Sequence, residues 1–144
     1  MPITIPAPRA STAVRPFRIL AVDDDPNSTL LTKIALERTG RFTVCEVNDP
    51  NAAAAAARAL GPDLIVMDVD MPRLDGRAAA LLVQSVPGLE EVPILFVTSL
   101  MSEGTAASRN AFGWHGPLEK PVSPKRLARA IESILQNGLL DTLM

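Results

Sequence analysis

The stretch Arg18-Ile-Leu-Ala-Val-Asp-Asp-Asp25 is an apolar strand that ends in three carboxylates, with a proline opening a predicted helix directly behind it. A second run, Leu64-Ile-Val-Met-Asp68, ends in the same way. If these strands are parallel neighbours, Asp23, Asp24 and Asp68 meet in the crevice where open α/β sheets bind ligands. Acids so close together repel one another unless a cation joins them. The pattern therefore predicts a divalent-metal pocket.

The composition fits one folded domain without a nucleic-acid or membrane surface. The chain has 144 residues, of which 47% are hydrophobic, enough for a single core. A net charge of −2 and the lack of a basic stripe argue against direct nucleic-acid binding. No stretch approaches the ~20 apolar residues of a membrane helix. The single cysteine, Cys45, fits a cytoplasmic location, and its apolar surroundings predict a small core residue.

Both ends of the chain differ from its middle. Residues 1–16 contain four prolines and no apolar block long enough for a signal peptide, and we interpret them as a disordered leader. Residues 17–137 are predicted to form the domain. Residues 138–144 are a C-terminal tail, more apolar than a free end, which would pack on the domain, dimerise or begin a linker.

Strand and helix patterns alternate along the domain, which predicts a doubly wound α/β fold: a five-stranded parallel sheet with helices on both faces. The strands are solid apolar runs, as burial on both faces demands. They are predicted at about 17–23, 42–47, 63–68, 93–98 and 114–119. The helices are predicted at 26–39, 51–60, 75–86, 102–112 and 123–136, each followed by glycine or proline and the last ended by Gly138.

Polar residues follow the later strands as well. Strand three runs into Asp68-Val-Asp-Met-Pro-Arg-Leu-Asp-Gly76, a tight connection with proline and glycine at fixed offsets from the acid. Strand four ends at Thr98 and strand five at Lys120, which precedes a proline. Each of these residues alone is weak evidence, since such groups usually solvate or cap a loop. Together with the paired acids they predict one site at one edge of the sheet.

In this order and spacing, the residues resemble the receiver domain of bacterial two-component response regulators, of the single-domain chemotaxis type, over residues 17 to about 137. The separations are 44 residues from Asp24 to Asp68, 30 to Thr98 and 22 to Lys120. The resemblance implies a flavodoxin-like sheet of strand order 2-1-3-4-5. It also implies that Asp68 is the phosphoacceptor, beside the paired acids Asp23 and Asp24.

The chemistry expected of each residue follows from its functional groups. A Mg²⁺ or Mn²⁺ ion prefers hard oxygen ligands, which Asp23, Asp24, Asp68 and the backbone carbonyl of Asp70 would supply. Asp68 would act as the nucleophile in phosphoryl transfer. Lys120 would stabilise charge on the phosphoryl oxygens, and the hydroxyl of Thr98 would bond one of them.

The same resemblance implies the partners. A sensor histidine kinase or a histidine phosphotransfer protein would donate the phosphoryl group, and a downstream protein would read the conformational change that follows. Two residues depart from the family pattern. Pro117 stands where the family often has a switching aromatic side chain, and Asp70 places a further negative charge beside the incoming phosphoryl group.

Two alternatives stay open at this point. The pair Asp68 and Asp70 also resembles the nucleophile motif of haloacid-dehalogenase-type phosphatases, in which Asp70 would be the general acid. A receiver that signals by protein binding without phosphorylation is the other. The single histidine, His115, opens the fifth strand and is interpreted as structural, because a phosphorelay histidine needs an exposed helix face.

Overall fold

The computed structural model describes residues 15–72, 74–99 and 113–143, and of residues 138–143 only the backbone. The five strands form one parallel sheet in the order β2-β1-β3-β4-β5, which confirms the predicted doubly wound, flavodoxin-like fold. Their bounds lie within one residue of the predictions: β1 Phe17–Val22, β2 Phe42–Val47, β3 Leu64–Asp68, β4 Ile94–Thr98 and β5 Trp114–Glu119.

Four α-helices alternate with these strands in the described part of the chain: α1 Pro26–Glu37, α2 Ala53–Leu60, α3 Gly76–Gln84 and α4 Pro124–Leu143. A single 3₁₀ turn, Pro50–Ala52, precedes α2. Asp25 and Asp75 cap α1 and α3, because each side chain accepts a backbone N–H of the first helical turn. The predicted helix over 102–112 lies outside the described residues.

The core has two layers, one on each face of the sheet. Alternate residues of a strand point to opposite faces, so Leu20 of β1 packs with α2 and α3, whereas its neighbour Ile19 packs with α1 and α4. The central strands β3 and β4 are buried along their whole length, as their continuous apolar sequences predict. The sheet is thereby a rigid base for the loops at its carboxyl edge.

Two expectations about the periphery are wrong. Cys45 is exposed rather than part of the core, because β2 is an edge strand on which buried and exposed residues alternate. Helix α4 does not end at Gly138 but continues to Leu143. A glycine inside a helix costs only about 1 kcal/mol relative to alanine, which is too little to end a helix by itself. The predicted tail therefore begins as helix.

Little of the predicted leader is described, since residues 1–14 lie outside the described part. Arg15 forms an exposed ion pair of 3.5 Å with Asp63. Among the described residues, no helix is both long and apolar enough to cross a membrane.

The connection from β3 to α3 is shaped by a close backbone contact at Gly76. A Cβ atom added at this glycine would lie 2.1 Å from the carbonyl oxygen of Asp68 and 2.9 Å from the Cα of Val69. The Gly76 N–H also bonds the Val69 carbonyl at 3.1 Å. The sequence signal of a glycine eight residues after the acid thus has a steric cause, because α3 begins against the end of β3.

We expect Gly76→Ala to lower the free energy of unfolding by more than about 3 kcal/mol, since overpacking against side chains alone costs 1–3 kcal/mol and here the neighbours are backbone atoms. Urea unfolding measures the change. Gly88→Ala is the matched control: Gly88 has φ +94° but no atom within 4 Å of the added Cβ. Its cost should stay near 1–2 kcal/mol. Equal losses in the two variants would contradict the steric argument.

Candidate functional site

Neighbouring strands bring the predicted site residues to one edge of the sheet. Asp68 is the last residue of β3 and pairs in register with Val97 of β4. The backbone N–H of Lys120, directly after β5, donates to the carbonyl of Thr98 at 2.7 Å. Asp23 follows β1, and its N–H donates to Val47 of β2 at 3.1 Å. The ladder of the parallel sheet therefore fixes where each loop starts.

Three acids converge as the sequence predicted. One carboxylate oxygen from each of Asp23, Asp24 and Asp68 lies within 4.8 Å of the other two. Asp23 and Asp68 are 6% and 4% exposed, and Asp24 is partly buried. Hard carboxylate oxygens at this separation fit a divalent cation such as Mg²⁺. The backbone carbonyl of Asp70 remains a predicted ligand.

Lys120 partly neutralises this acidic cluster. Its Nζ donates to Oδ2 of Asp23 at 2.6 Å and lies 3.6 Å from Oδ1 of Asp68. Burial alone would lower the pKa of the Lys120 ammonium, but the hydrogen bond to Asp23 and the charge of Asp68 outweigh burial and raise it. Lys120 is therefore a cation at neutral pH, placed between the two buried acids.

The carboxyl group of Asp68 resists ionisation. Burial is the largest cause and the negative charge of Asp23 the second, and together they raise its pKa to about 6. The charge of Lys120 and the N–H of Asp70, which donates to Asp68 Oδ1 at 3.3 Å, act in the opposite direction. A carboxylate that is buried next to both a cation and another acid is typical of a functional site.

Thr98 is fully buried at the end of β4. Its hydroxyl donates a short hydrogen bond to the carboxylate of Asp70. Asp70 itself is exposed, two residues after Asp68. The Asp70 side chain, predicted only to add a negative charge, is thus a direct partner of Thr98, which is predicted to bond a phosphoryl oxygen.

A polar network that the sequence analysis missed supports Asp23. The side-chain amide of Asn48 donates to the backbone carbonyl of Asp23 at 2.8 Å and to Thr29 Oγ1 at 2.9 Å. The buried Thr29 hydroxyl in turn lies 2.8 Å from a carboxylate oxygen of Glu46. The only signal in the sequence was a charged residue within the apolar strand β2, at Glu46. These bonds hold the loop after β1 against β2.

Strand β5 contains Trp114, the single histidine His115 and Pro117. Trp114 is 8% exposed, stacks edge-on against Phe96 at 4.9 Å and donates its indole N–H to Gln84 at 3.1 Å. His115 is half-buried, and burial lowers its pKa, so the imidazole is neutral at pH 7. Pro117 lies within β5, partly buried.

The structure thus combines an acidic crevice at the carboxyl edge of a doubly wound sheet with a threonine and a lysine from the next two strands, the set of residues that resembles receiver domains. The family model of the response regulator receiver domain matches residues 19–132. The chain belongs to this family and is a receiver domain of two-component signalling. Membership decides against the haloacid-dehalogenase alternative.

Relatives carry such domains in different settings. A protein of 14.6 kDa from Leptolyngbya boryana is 33% identical over 114 residues, which are 79% of this chain and 86% of that protein. The sensor protein GacS of Pseudomonas syringae is 32% identical over 117 residues, 79% of this chain but 13% of GacS. The protein-glutamate methylesterase 1 of Hahella chejuensis is 32% identical over 120 residues, which are 81% of this chain and 31% of that protein. The chain spans less than a third of the two larger relatives.

Solved structures share the fold. The chemotaxis protein CheY4 of Vibrio cholerae is 28% identical and superposes with a TM-score of 0.77 over 83% of this chain and 99% of CheY4. A two-component response regulator of the LuxR family from Aurantimonas is 29% identical, with a TM-score of 0.75 over 85% of this chain and 87% of that one.

The raised pKa of Asp68 predicts a pH-dependent stability difference in the absence of divalent ions. The folded state holds the Asp68 proton more tightly than the unfolded state, so the stability from this group is present below pH ~4 and is lost as pH rises through about 6. Asn at this position imitates the protonated acid. We therefore expect the stability of Asp68→Asn relative to wild type to grow by up to about 3 kcal/mol between pH 4 and pH 7.5.

Urea unfolding in EDTA at several pH values measures this difference. Asp25→Asn is the control, because it removes an exposed carboxylate from the same edge and asparagine caps a helix as well as aspartate. Measured over the same range, this variant gives the change that follows from the loss of one exposed carboxylate. A pH-independent difference for Asp68→Asn would show that Asp68 is not held in a strained acidic pocket.

Proposed function

We propose that this receiver domain accepts a phosphoryl group on Asp68 from a phosphohistidine and signals through the resulting conformational change. The observation that carries the proposal is the placement of the Asp68 carboxylate, which is buried at the bottom of the crevice with Asp23, Asp24 and Lys120 around it. Acids this close to one another repel, which lowers the stability of the folded chain. Such a cluster fits a group that is kept for chemistry.

The reaction assigned to Asp68 is an in-line displacement. One of its carboxylate oxygens attacks the phosphorus, a P–O bond forms, the P–N bond to the donor imidazole breaks, and the electron pair of that bond stays on the imidazole nitrogen. At pH 7 a pKa of about 6 leaves most Asp68 carboxylates ionised and ready to attack. The ammonium of Lys120, 3.6 Å from Asp68, is placed to stabilise charge on the phosphoryl oxygens.

The acidic cluster is also the candidate metal site. Asp23, Asp24 and Asp68 would hold a Mg²⁺ or Mn²⁺ ion, with the Asp70 carbonyl as a further ligand. When bound, the ion would supply positive charge to the phosphoryl oxygens. The bond from Lys120 to Asp23 keeps this acid oriented, and the N–H of Asp25, which donates to the other Asp23 oxygen at 2.9 Å, does the same.

The output is assigned to Thr98. Its hydroxyl would bond an oxygen of the acyl phosphate and draw the end of β4 and the following loop toward Asp68. A downstream protein would read that change. Because Pro117 has a fixed ring in place of a rotating aromatic side chain, we assign the signal mainly to residues 98–112, most of which lie outside the described part.

The surface beside the crevice suits a protein donor. Helix α1 exposes Leu30, Leu31 and Ile34, of which Leu31 is 67% exposed. A cavity of about 630 Å³ is lined by Leu31, Ile34 and Val122 and reaches Asp23 and Lys120. Exposed apolar side chains beside a reactive group are typical of a protein contact. We assign the role of donor to a sensor histidine kinase or a histidine phosphotransfer protein. We place the reaction in the cytoplasm.

Phosphorylation of Asp68 is the first consequence to test. After incubation with acetyl phosphate and Mg²⁺, intact-mass spectrometry should show one phosphate adduct on the wild-type chain. The adduct should be absent with EDTA, because the acidic cluster then lacks its cation, and absent in Asp68→Asn, which has no nucleophilic oxygen.

Two outcomes decide between this proposal and its alternative. An adduct that persists in Asp68→Asn would place the reaction elsewhere. No adduct under any condition, and no binding of the phosphoryl analogue beryllofluoride, would favour a receiver that acts by protein binding alone. Asp25→Asn is again the control, and its phosphorylation should match the wild type.

A second prediction concerns the exposed apolar side chains of α1. Leu31→Glu should slow phosphoryl transfer from a ³²P-labelled histidine kinase domain or phosphotransfer protein of the same genome at least tenfold, since buried apolar contacts dominate protein interfaces. Its phosphorylation by acetyl phosphate should be unchanged, because a small donor needs no docking. Leu82→Glu is the matched control: Leu82 is 51% exposed, but on α3, which covers the opposite face of the sheet. Equal slowing by both variants would argue against a docking surface on α1.

A further inference from the structure

The hydroxyl of Thr98 is already engaged before any phosphoryl group is bound. It donates to the carboxylate of Asp70, which lies in the loop between β3 and α3, 28 residues away in the sequence. Thr98 is fully buried, so the alternatives open to its hydroxyl are groups of this pocket rather than bulk water. The bond has a charged acceptor, and such bonds are about twice as strong as neutral ones.

A threonine hydroxyl has one proton and donates to one acceptor at a time. The output assigned above needs that proton for an oxygen of the acyl phosphate on Asp68. The bond to Asp70 and the bond to the phosphoryl group therefore exclude each other. From this competition we propose that Asp70 is a latch, which holds Thr98 in its resting orientation until phosphorylation of Asp68 offers a stronger acceptor.

The latch residue is tied to the phosphoacceptor as well as to the switch. The backbone N–H of Asp70 donates to Oδ1 of Asp68 at 3.3 Å. A change at the Asp68 carboxylate therefore alters a hydrogen bond of Asp70, the residue that accepts from Thr98. Asp70 is a positioning residue in this arrangement, and it acts on the equilibrium between resting and active receiver. The proposal rests on the proposed phosphorylation of Asp68.

Asp70 also carries a negative charge beside the pocket, and charge alone would weaken the binding of an anion. The two effects differ in their dependence on Thr98. Repulsion between Asp70 and a bound anion needs no hydroxyl, whereas a latch has no effect once the hydroxyl is removed. They also differ in their dependence on the acceptor: Asp70→Asn removes the charge but keeps an oxygen that accepts from Thr98, and Asp70→Ala removes both.

The test is the affinity for beryllofluoride in Mg²⁺, measured by isothermal titration calorimetry for Asp70→Ala and Asp70→Asn, each with Thr98 and with Thr98→Val. Asp70 is exposed, so neither substitution disturbs the core. With Thr98 present, Asp70→Ala should bind beryllofluoride about tenfold more tightly than wild type, as expected for loss of a competing bond to a charged group. Asp70→Asn should gain less. In the Thr98→Val background, Asp70→Ala and Asp70→Asn should raise the affinity for beryllofluoride by the same factor, and that factor should be smaller than tenfold.

The outcomes separate the latch from the proposed function. The latch is refuted if Asp70→Ala and Asp70→Asn change the affinity equally and Thr98→Val does not alter that change. The negative charge of Asp70 alone would then explain the result. Loss of affinity in Asp70→Ala refutes the latch too. If the wild type binds no beryllofluoride, the phosphoacceptor assignment fails and the latch with it. Asp25→Asn, which removes a charge from the same edge without touching Thr98, should show no dependence on the Thr98→Val background.

Discussion

The candidate site is governed by the repulsion between carboxylates that the parallel sheet brings together. Oxygens of Asp23, Asp24 and Asp68 lie within 4.8 Å of one another, and at an effective dielectric constant near 20 each such pair repels by about 3–4 kcal/mol. A purely structural site would not retain this cost. Lys120 offsets part of it by pairing with Asp23 and Asp68. The pKa of Asp68 is nevertheless raised, first by burial and second by the charge of Asp23. The remaining repulsion is what a divalent cation would relieve.

Most polar contacts around the crevice hold these charges in place. Asn48 and Thr29 fix the loop that carries Asp23 and Asp24, while the absence of a side chain at Gly76 lets α3 start against the carbonyl of Asp68. These residues touch no reacting atom. They set the positions of the two loops that carry Asp23, Asp24 and Asp70 relative to the end of β3.

Much of the fold could be read from local patterns. The alternation of apolar runs with helical segments ended by glycine or proline predicted every described strand to within one residue, and α1 and α3 begin within one residue of their predicted starts. Strand order was implied by the resemblance to receiver domains rather than by the patterns themselves. The exposure of Cys45 was missed because an apolar run does not say whether its strand lies at the edge of the sheet.

The sequence by itself determined which residues could meet: apolar strands that end in acids, a threonine and a lysine must bring those groups to one edge if the strands are parallel. Only the tertiary structure decided which groups bond one another. Lys120 bonds Asp23 across 97 residues of sequence, and the hydroxyl of Thr98 donates a hydrogen bond to the carboxylate of Asp70. Such bonds depend on strand register and on the paths of the loops. Residue patterns set the periodicity of buried faces, whereas these distances arise only when distant segments pack against each other.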